Sequence, residues 1–393
     1  MNQRIAPGRD PKERARIEHI DRAIGPEPID ADHLITTFAR AHAYRASKPS
    51  GRASHQHLHG GDWTGKRAAC PAGRNSVRHW CALPGCLASG IHSIGHFAQS
   101  ERRATVRRAQ SLESITMSIA LTAYQGRVGD HNDLAMPGAV LLASAIGERL
   151  GIAPEVIGEP QPALNTNWDV ELEAAKSGLR ELQSQLETVI ASGQTPITVL
   201  NRCAASLATL PVIARHHPGS VVVWFDAHAD LNTPDGSITG YLGGLALSGP
   251  AGLWDSGFGN GYSCDRLVLV GQRDIDPFER TLIETEQIMV VSPGPDLAER
   301  LTAAIAGRPV YVHIDCDVLD PGIVPTDYLI PFGLTLDDLR ACGEAIVRGD
   351  LLGLEVTEFQ VTFQPGGPPA TQEAAALVSA LAPLLTALTP APA

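Results

Sequence analysis

The sequence predicts an α/β fold with a mostly parallel sheet and helices on both of its faces. Short, continuous runs of β-branched and aliphatic residues recur after residue 117, and amphipathic stretches of helical length separate them. Two of the apolar runs end abruptly in clusters of Asp and His, at the strand ends beyond which open parallel sheets keep their ligands.

Along the chain, residues 118–124 read as a buried first strand. Further strands are expected at 197–200, 221–225, 267–271, 288–291, 310–314 and 354–356, most of them without polar alternation, as in strands covered on both faces. Helices are expected at 139–150, 168–192, 204–216, 296–306, 336–347 and 371–388, where apolar residues return every three or four positions. The Pro- and Ala-rich end, 389–393, is expected to fray. No internal repeat is visible, and no run nears the roughly 18 apolar residues of a membrane span, so no membrane partner is expected.

Of 393 residues, 44% are apolar and 19% charged, which excludes a largely disordered or fibrous chain. The net charge of −12 is unevenly spread: 1–116 carries +8 and 117–393 carries −20. Residues 1–116 also hold 9 of the 14 histidines and show little periodicity beyond a helical stretch near 31–45. They read as a poorly organised basic extension, disordered or the product of an overextended start with initiation at Met117; 117–393 reads as one catalytic domain. His55, His57, His59, Cys70, Cys81, Cys86, His92 and His96 match no compact zinc-ligand spacing. The acidic remainder would repel phosphates, so no nucleic-acid partner is expected. Seven scattered cysteines give no disulfide framework, and no apolar run follows a basic start as in a secretory signal; a cytoplasmic location is expected.

The run Val221–Phe225 leads into Asp226-Ala227-His228-Ala229-Asp230. In extended chain Asp226, His228 and Asp230 share one face. A second run ends in Asp315-Cys316-Asp317-Val318-Leu319-Asp320-Pro321, with Asp315 and Asp317 again on one face. Carboxylates converging at a strand mouth are costly unless solvated or bound to cations. Four Asp and one His there describe a binuclear site for hard divalent ions, with bridging carboxylates.

These two motifs together resemble the arginase/agmatinase (ureohydrolase) family, and the resemblance runs from about Met117 to the last helix. It implies a three-layer α/β sandwich with a mostly parallel sheet of about eight strands, two Mn²⁺ per chain, and a homo-oligomer, trimer or hexamer. By the same resemblance Asp226, Asp230 and Asp315 are ligands of one ion and Asp226, His228, Asp315 and Asp317 of the other. Asp230 would also pass a proton to the departing amine. Glu358 would receive the guanidino group of a small-molecule substrate. Asp276, in Arg273-Asp274-Ile275-Asp276-Pro277, would meet its α-amino group, and Asn232 and Thr239 its α-carboxylate.

Two departures stand out. The family's Gly-Gly-Asp-His-Ser is replaced by Leu200-Asn201-Arg202-Cys203-Ala204, which puts Cys203 at the position of a metal-binding His. A thiolate can ligate, but it is soft where Mn²⁺ is hard; a hydroxyarginine-hydrolysing branch of the family shares the change. Second, Gly243 stands where arginases carry a proton-shuttle His. The expected activity is hydrolysis of the guanidino group of arginine or N-hydroxyarginine to urea or hydroxyurea plus ornithine, with the N-hydroxylated substrate favoured. The alternatives are an agmatinase, guanidinobutyrase or formimidoylglutamase, or a noncatalytic binding module. A single-zinc deacetylase of similar architecture would not need Asp317 beside Asp226, Asp230 and Glu358. His131 is a candidate pocket residue and His313 a core histidine; the Gly-rich loops 236–244 and 257–261 lack phosphate-cradle spacing.

Overall fold

The computed structural model describes residues 118–389. The expectations for 1–116, including its Cys/His scatter, for initiation at Met117 and for the extreme end of the chain lie outside the described residues.

Eight strands form one parallel sheet: β1 (Ser118–Tyr124), β2 (Glu155–Ile157), β3 (Gln194–Leu200), β4 (Val221–Phe225), β5 (Leu267–Val270), β6 (Met289–Val291), β7 (Val310–Asp315) and β8 (Leu351–Thr357). Their order is β2-β1-β3-β8-β7-β4-β5-β6, every pair parallel. The helices are α1 (Ala135–Leu150), α2 (Trp168–Ala191), α3 (Ser206–His216), α4 (Pro277–Glu286), α5 (Leu297–Ile305), α6 (Leu336–Ile346), α7 (Thr371–Ala380) and α8 (Ala382–Leu388).

β4 shows why the sheet has a helical layer on each side. Val221, Val223 and Phe225 enter a core shared with α1, α5, α6, α7 and α8. Val222 and Trp224 enter the opposite core, with Leu210, Val212 and Ile213 of α3 and Leu186 of α2. Both faces of the strand are thus apolar, which is what its unbroken run of apolar residues encodes. This is the expected three-layer sandwich.

The structure adds two elements to those expected. β2 is a three-residue edge strand with two exposed positions, too short to leave a periodic signal. α4 buries only Glu279, so its sequence has no apolar stripe; its start is marked instead by Pro277 directly after Asp276. The expected helix over 371–388 breaks at Leu381 into α7 and α8, bent by 65°. Pro383 explains the break, since its ring opposes the carbonyl four residues back and offers no N–H. The expected start of the 204–216 helix is a 3₁₀ turn, Cys203–Ala205, that turns the chain into α3. Among the described residues no single helix is long and apolar enough to cross a membrane.

Candidate active site

The four central strands β3, β8, β7 and β4 are neighbours, although they are far apart in the chain. Their carboxyl ends deliver Cys203, Glu358, Asp315 with Asp317, and the Asp226–Asp230 stretch to one place. The sheet changes its direction of winding here, and such a crevice is where parallel sheets hold ligands.

The sequence-derived ligands converge. Ligand atoms of Cys203, Asp226 and Asp230 lie within 4.8 Å of one another, as do those of Asp226, His228 and Asp317, and those of Cys203, Asp315 and Glu358. Asp226 and Cys203 each belong to two of these groups, whereas Asp315, expected to bridge alongside Asp226, belongs to one. All are buried except His228, which is partly exposed. The carboxylates are aimed by donors around them: Trp224 Nε1 and the His228 N–H donate to Asp226 (2.8 and 2.6 Å), the Asp317 N–H to Asp315 (2.7 Å) and the Ala227 N–H to Asp317 (3.0 Å). Asp230 and Glu358 hold left-handed backbone, φ 53° and 65°, conformations costly for residues other than Gly.

Charge is crowded here. Burial and the like charge of Asp317 lift the Asp226 carboxyl to about 7, against the pull of His228. Burial and neighbouring carboxylates push Asp230 and Asp315 well above the usual range. Asp317 goes the other way: although burial raises it, the hydrogen bond and charge of His228 bring it down. Burial, then Asp315 and Glu358, raise the Cys203 thiol, so it keeps its proton and donates to Asp315 Oδ2 at 2.9 Å. Thr357 Oγ1 is 2.9 Å and His313 Nε2 3.3 Å from the same sulfur. His313 is otherwise satisfied in the core, bonded to Glu355 (2.7 Å) and stacked on Trp224. Four desolvated carboxylates, an imidazole and a thiol are a donor set that positive charge would relieve. They fit two hard divalent ions, with the thiol as the soft exception.

The substrate-facing candidates are more dispersed. Asn232 Nδ2 donates to Asp276 Oδ2 at 3.0 Å, and Asn232 Oδ1 is left buried without a partner. Glu279 ties this pair to the metal-side loop, accepting the Leu231 and Asp276 N–H groups, each at 2.9 Å. Thr239 is exposed, and among the described residues its hydroxyl bonds only the Tyr241 N–H, at 3.2 Å. Its oxygen accepts within its own turn and is not joined to Asn232, while its O–H remains free to donate.

Sequence reasoning missed a second tier of residues. Arg202, wholly buried, donates to Glu358 Oε2 at 2.8 Å, to Asp327 at 3.0 Å and to Asp130 at 3.0 Å. The Cys203 N–H takes the other oxygen, Glu358 Oε1, at 2.9 Å. The Arg that replaces the family's Asp beside Cys203 was the available signal. Tyr241 was also missed. Its ring stacks on His131 at 4.2 Å, and a Cβ placed on Gly243 would fall 2.3 Å from its Cε1 atom. Tyr328 stands edge-on to His131 and His228 and completes an aromatic rim with Tyr241.

A model of the arginase family matches residues 102–382. N(omega)-hydroxy-L-arginine amidinohydrolase of Streptomyces lavendulae is 41% identical over 260 residues, covering 66% of this chain and 94% of that protein. Mitochondrial arginase-2 of Rattus norvegicus is 27% identical over 203 residues, 46% of this chain and 56% of its own length. Among solved structures, arginase from Bacillus caldovelox superposes with a TM-score of 0.59 at 22% identity, covering 68% of this chain and 98% of that one. Proclavaminate amidino hydrolase from Streptomyces clavuligerus gives 0.53 at 17% identity, with 70% and 93% covered. At these identities the two structures speak for the fold.

Proposed function

The chain belongs to the arginase family, and on that premise we propose that it hydrolyses the guanidino group of an arginine-like α-amino acid, with Nω-hydroxy-L-arginine preferred and hydroxyurea and ornithine as products. The observation that carries the reading is the meeting of Cys203, Asp226, His228, Asp230, Asp315 and Asp317, all buried but the partly exposed His228, beside Glu358 at four neighbouring strand ends. The choice of substrate is supported by the relative that is 41% identical, an N(omega)-hydroxy-L-arginine amidinohydrolase.

Those six residues would hold two Mn²⁺ ions, which supply Lewis acidity and acidify a water at neutral pH. The chain's own groups do the rest. Glu358 presents its carboxylate to the guanidino nitrogens, its direction fixed by the Arg202 guanidinium and the Cys203 N–H. Asp230, raised by burial and held in strained backbone, takes a proton and returns it to the nitrogen of the departing amine. Asp276 accepts from the α-ammonium group. Asn232, expected at the α-carboxylate, has its Nδ2 engaged by Asp276 and offers only its Oδ1 acceptor, which suits the α-ammonium instead, and Thr239 borders the α-carboxylate. The rim of His131, Tyr241 and Tyr328 limits water over the reacting carbon.

A homo-oligomer, trimer or hexamer, and a cytoplasmic location complete the reading. The first follows from the family resemblance; the second is supported by four free cysteines among the described residues.

The test is a substrate panel on Mn²⁺-loaded protein: N-hydroxyarginine, arginine, agmatine, guanidinobutyrate and formiminoglutamate. N-hydroxyarginine should give the highest kcat/KM, arginine a value lower by about tenfold or more, and agmatine, which has no carboxylate, the least. Arginine equal to or better than N-hydroxyarginine would overturn the substrate choice.

A further inference from the structure

Arg202 is wholly buried and divides its guanidinium among three carboxylates, Asp130, Asp327 and Glu358. Asp130 is itself wholly buried and held by Asn201 Nδ2 (3.2 Å) and the Val128 N–H (2.8 Å), which anchors Arg202 from behind. Glu358 is therefore already paired with a cation that belongs to the protein. A carboxylate in that state attracts a second cation less than a bare one does, and the second cation is repelled by the first. Asp130 and Asp327 offset Arg202 in total charge, but its Nη1 lies against Glu358 itself at 2.8 Å. The nearest charge a second cation on that carboxylate meets is therefore positive, which costs about tenfold in binding at the effective dielectric of a protein interior.

A neutral guanidine escapes this penalty. Each carboxylate oxygen accepts two hydrogen bonds, so Glu358 still has lone pairs for its N–H groups. Plain guanidines, like the Arg side chain, are protonated at every physiological pH. An N-hydroxyl withdraws electrons from the guanidine and lowers its basicity, so far more of it is uncharged near neutrality.

We propose that Arg202 is a specificity-determining residue: by sharing Glu358 with an internal guanidinium, it selects N-hydroxyguanidines that arrive uncharged over the cationic guanidinium of arginine. This rests on the reading of Glu358 as the group that meets the guanidino end of the substrate. Arg202 acts through Glu358 and is placed here as a positioning and charge-setting residue.

The experiment compares the ratio of kcat/KM for N-hydroxyarginine over arginine in wild type and two variants. The pair Arg202→Gln with Asp130→Asn removes a buried positive and a buried negative charge together, which avoids stranding Asp130. Its ratio should fall about tenfold or more, mostly through a lower KM for arginine. Arg202→Lys keeps the charge and should keep the preference. Equal losses for both substrates, with the ratio unchanged in the neutral pair, would reduce Arg202 to a structural counter-ion and overturn the proposal. Should the variants fail to fold, inhibition of the wild type decides: citrulline, a neutral isostere, should compete at least as tightly as arginine binds, and arginine about tenfold tighter would overturn the proposal. Wild type turning over neither substrate when loaded with Mn²⁺ would instead sink the function on which the proposal stands, and the proposal with it.

Discussion

The Cys203 sulfur and the Asp315 carboxylate meet at 2.9 Å across the ends of β3 and β7, two strands separated by β8. Cys203 meets the end of β8 as well, its sulfur 2.9 Å from Thr357 Oγ1, where the 3₁₀ turn at Cys203–Ala205 follows the end of β3 at Leu200. As a metal ligand this thiol would have to give up the proton it now donates to Asp315. Replacing it with Cys203→Ala should therefore lower the bound Mn²⁺ from two ions to one per chain, or weaken one site about 10–100-fold, the scale on which even outer partners matter. Co²⁺-loaded wild type should show a thiolate-to-metal band in the near ultraviolet that the variant lacks. No band in wild type would remove Cys203 from the ligand set.

Asp226 stands in two of the three candidate ligand groups, whereas His228 stands in one. Asp226→Ala should accordingly abolish binding of both ions, and His228→Ala should release mainly one. Metal analysis of dialysed protein distinguishes the two results. Equal stoichiometry in both variants would contradict the bridging role of Asp226.

Much of this was legible in the sequence, and the parts that were not have physical reasons. β4 and β7 announce themselves because strands buried on both faces must be apolar throughout, and the Asp clusters that end them are too costly to occur in a core without purpose. α4 was illegible because it lies on the surface with one buried residue, so burial imposed no pattern on it. Arg202 was hidden differently. Its partners Asp130 and Asp327 lie 72 and 125 residues away, and nothing local to Arg202 marks it as buried. Tyr241 was unreadable for the same reason: that it covers Gly243 and stacks on His131 is a fact of the fold.

Glu279 gives a pH dependence. Burial raises its carboxyl from 4.5 to about 7, against the two N–H bonds it accepts from Asp276 and Leu231. In the unfolded chain Glu279 loses its proton near the lower value; in the folded chain it keeps it. Between about 4.5 and about 7 the folded state binds more protons, so this group's contribution to stability declines as pH rises through that window. Denaturant unfolding of wild type and Glu279→Gln at pH 5 and pH 7.5 checks the sign. The variant should lose less stability than wild type between the two, and an equal loss would assign the pH dependence elsewhere.

The break in charge between 1–116 and the remainder makes a further prediction. A chain beginning at Met117 should be soluble and retain full turnover, because every candidate ligand and substrate contact lies after it. Since the family match begins at residue 102, a chain beginning there serves as the control. Loss of activity in the shorter chain alone would assign the intervening residues to the catalytic domain.

Tyr241 changes what a substitution at Gly243 can achieve. Absence of a shuttle His at this position suggests restoring one with Gly243→His to raise arginine turnover. The Cβ of any residue at 243 would lie 2.3 Å from Tyr241 Cε1 and 2.9 Å from its hydroxyl, so the ring must leave first. Leaving forfeits the stack on His131, a contact worth about 0.5–1.5 kcal/mol, and overpacking adds about 1–3 kcal/mol. Gly243→His alone should therefore lower the thermal midpoint without improving arginine turnover. Combined with Tyr241→Ala, which vacates the space, the same His should recover stability relative to the single variant and raise kcat for arginine. Pairing thermal unfolding with arginine kinetics in the single and double variants separates the steric effect from the chemical one. An active, unperturbed single variant would show that Tyr241 yields freely and does not guard the position.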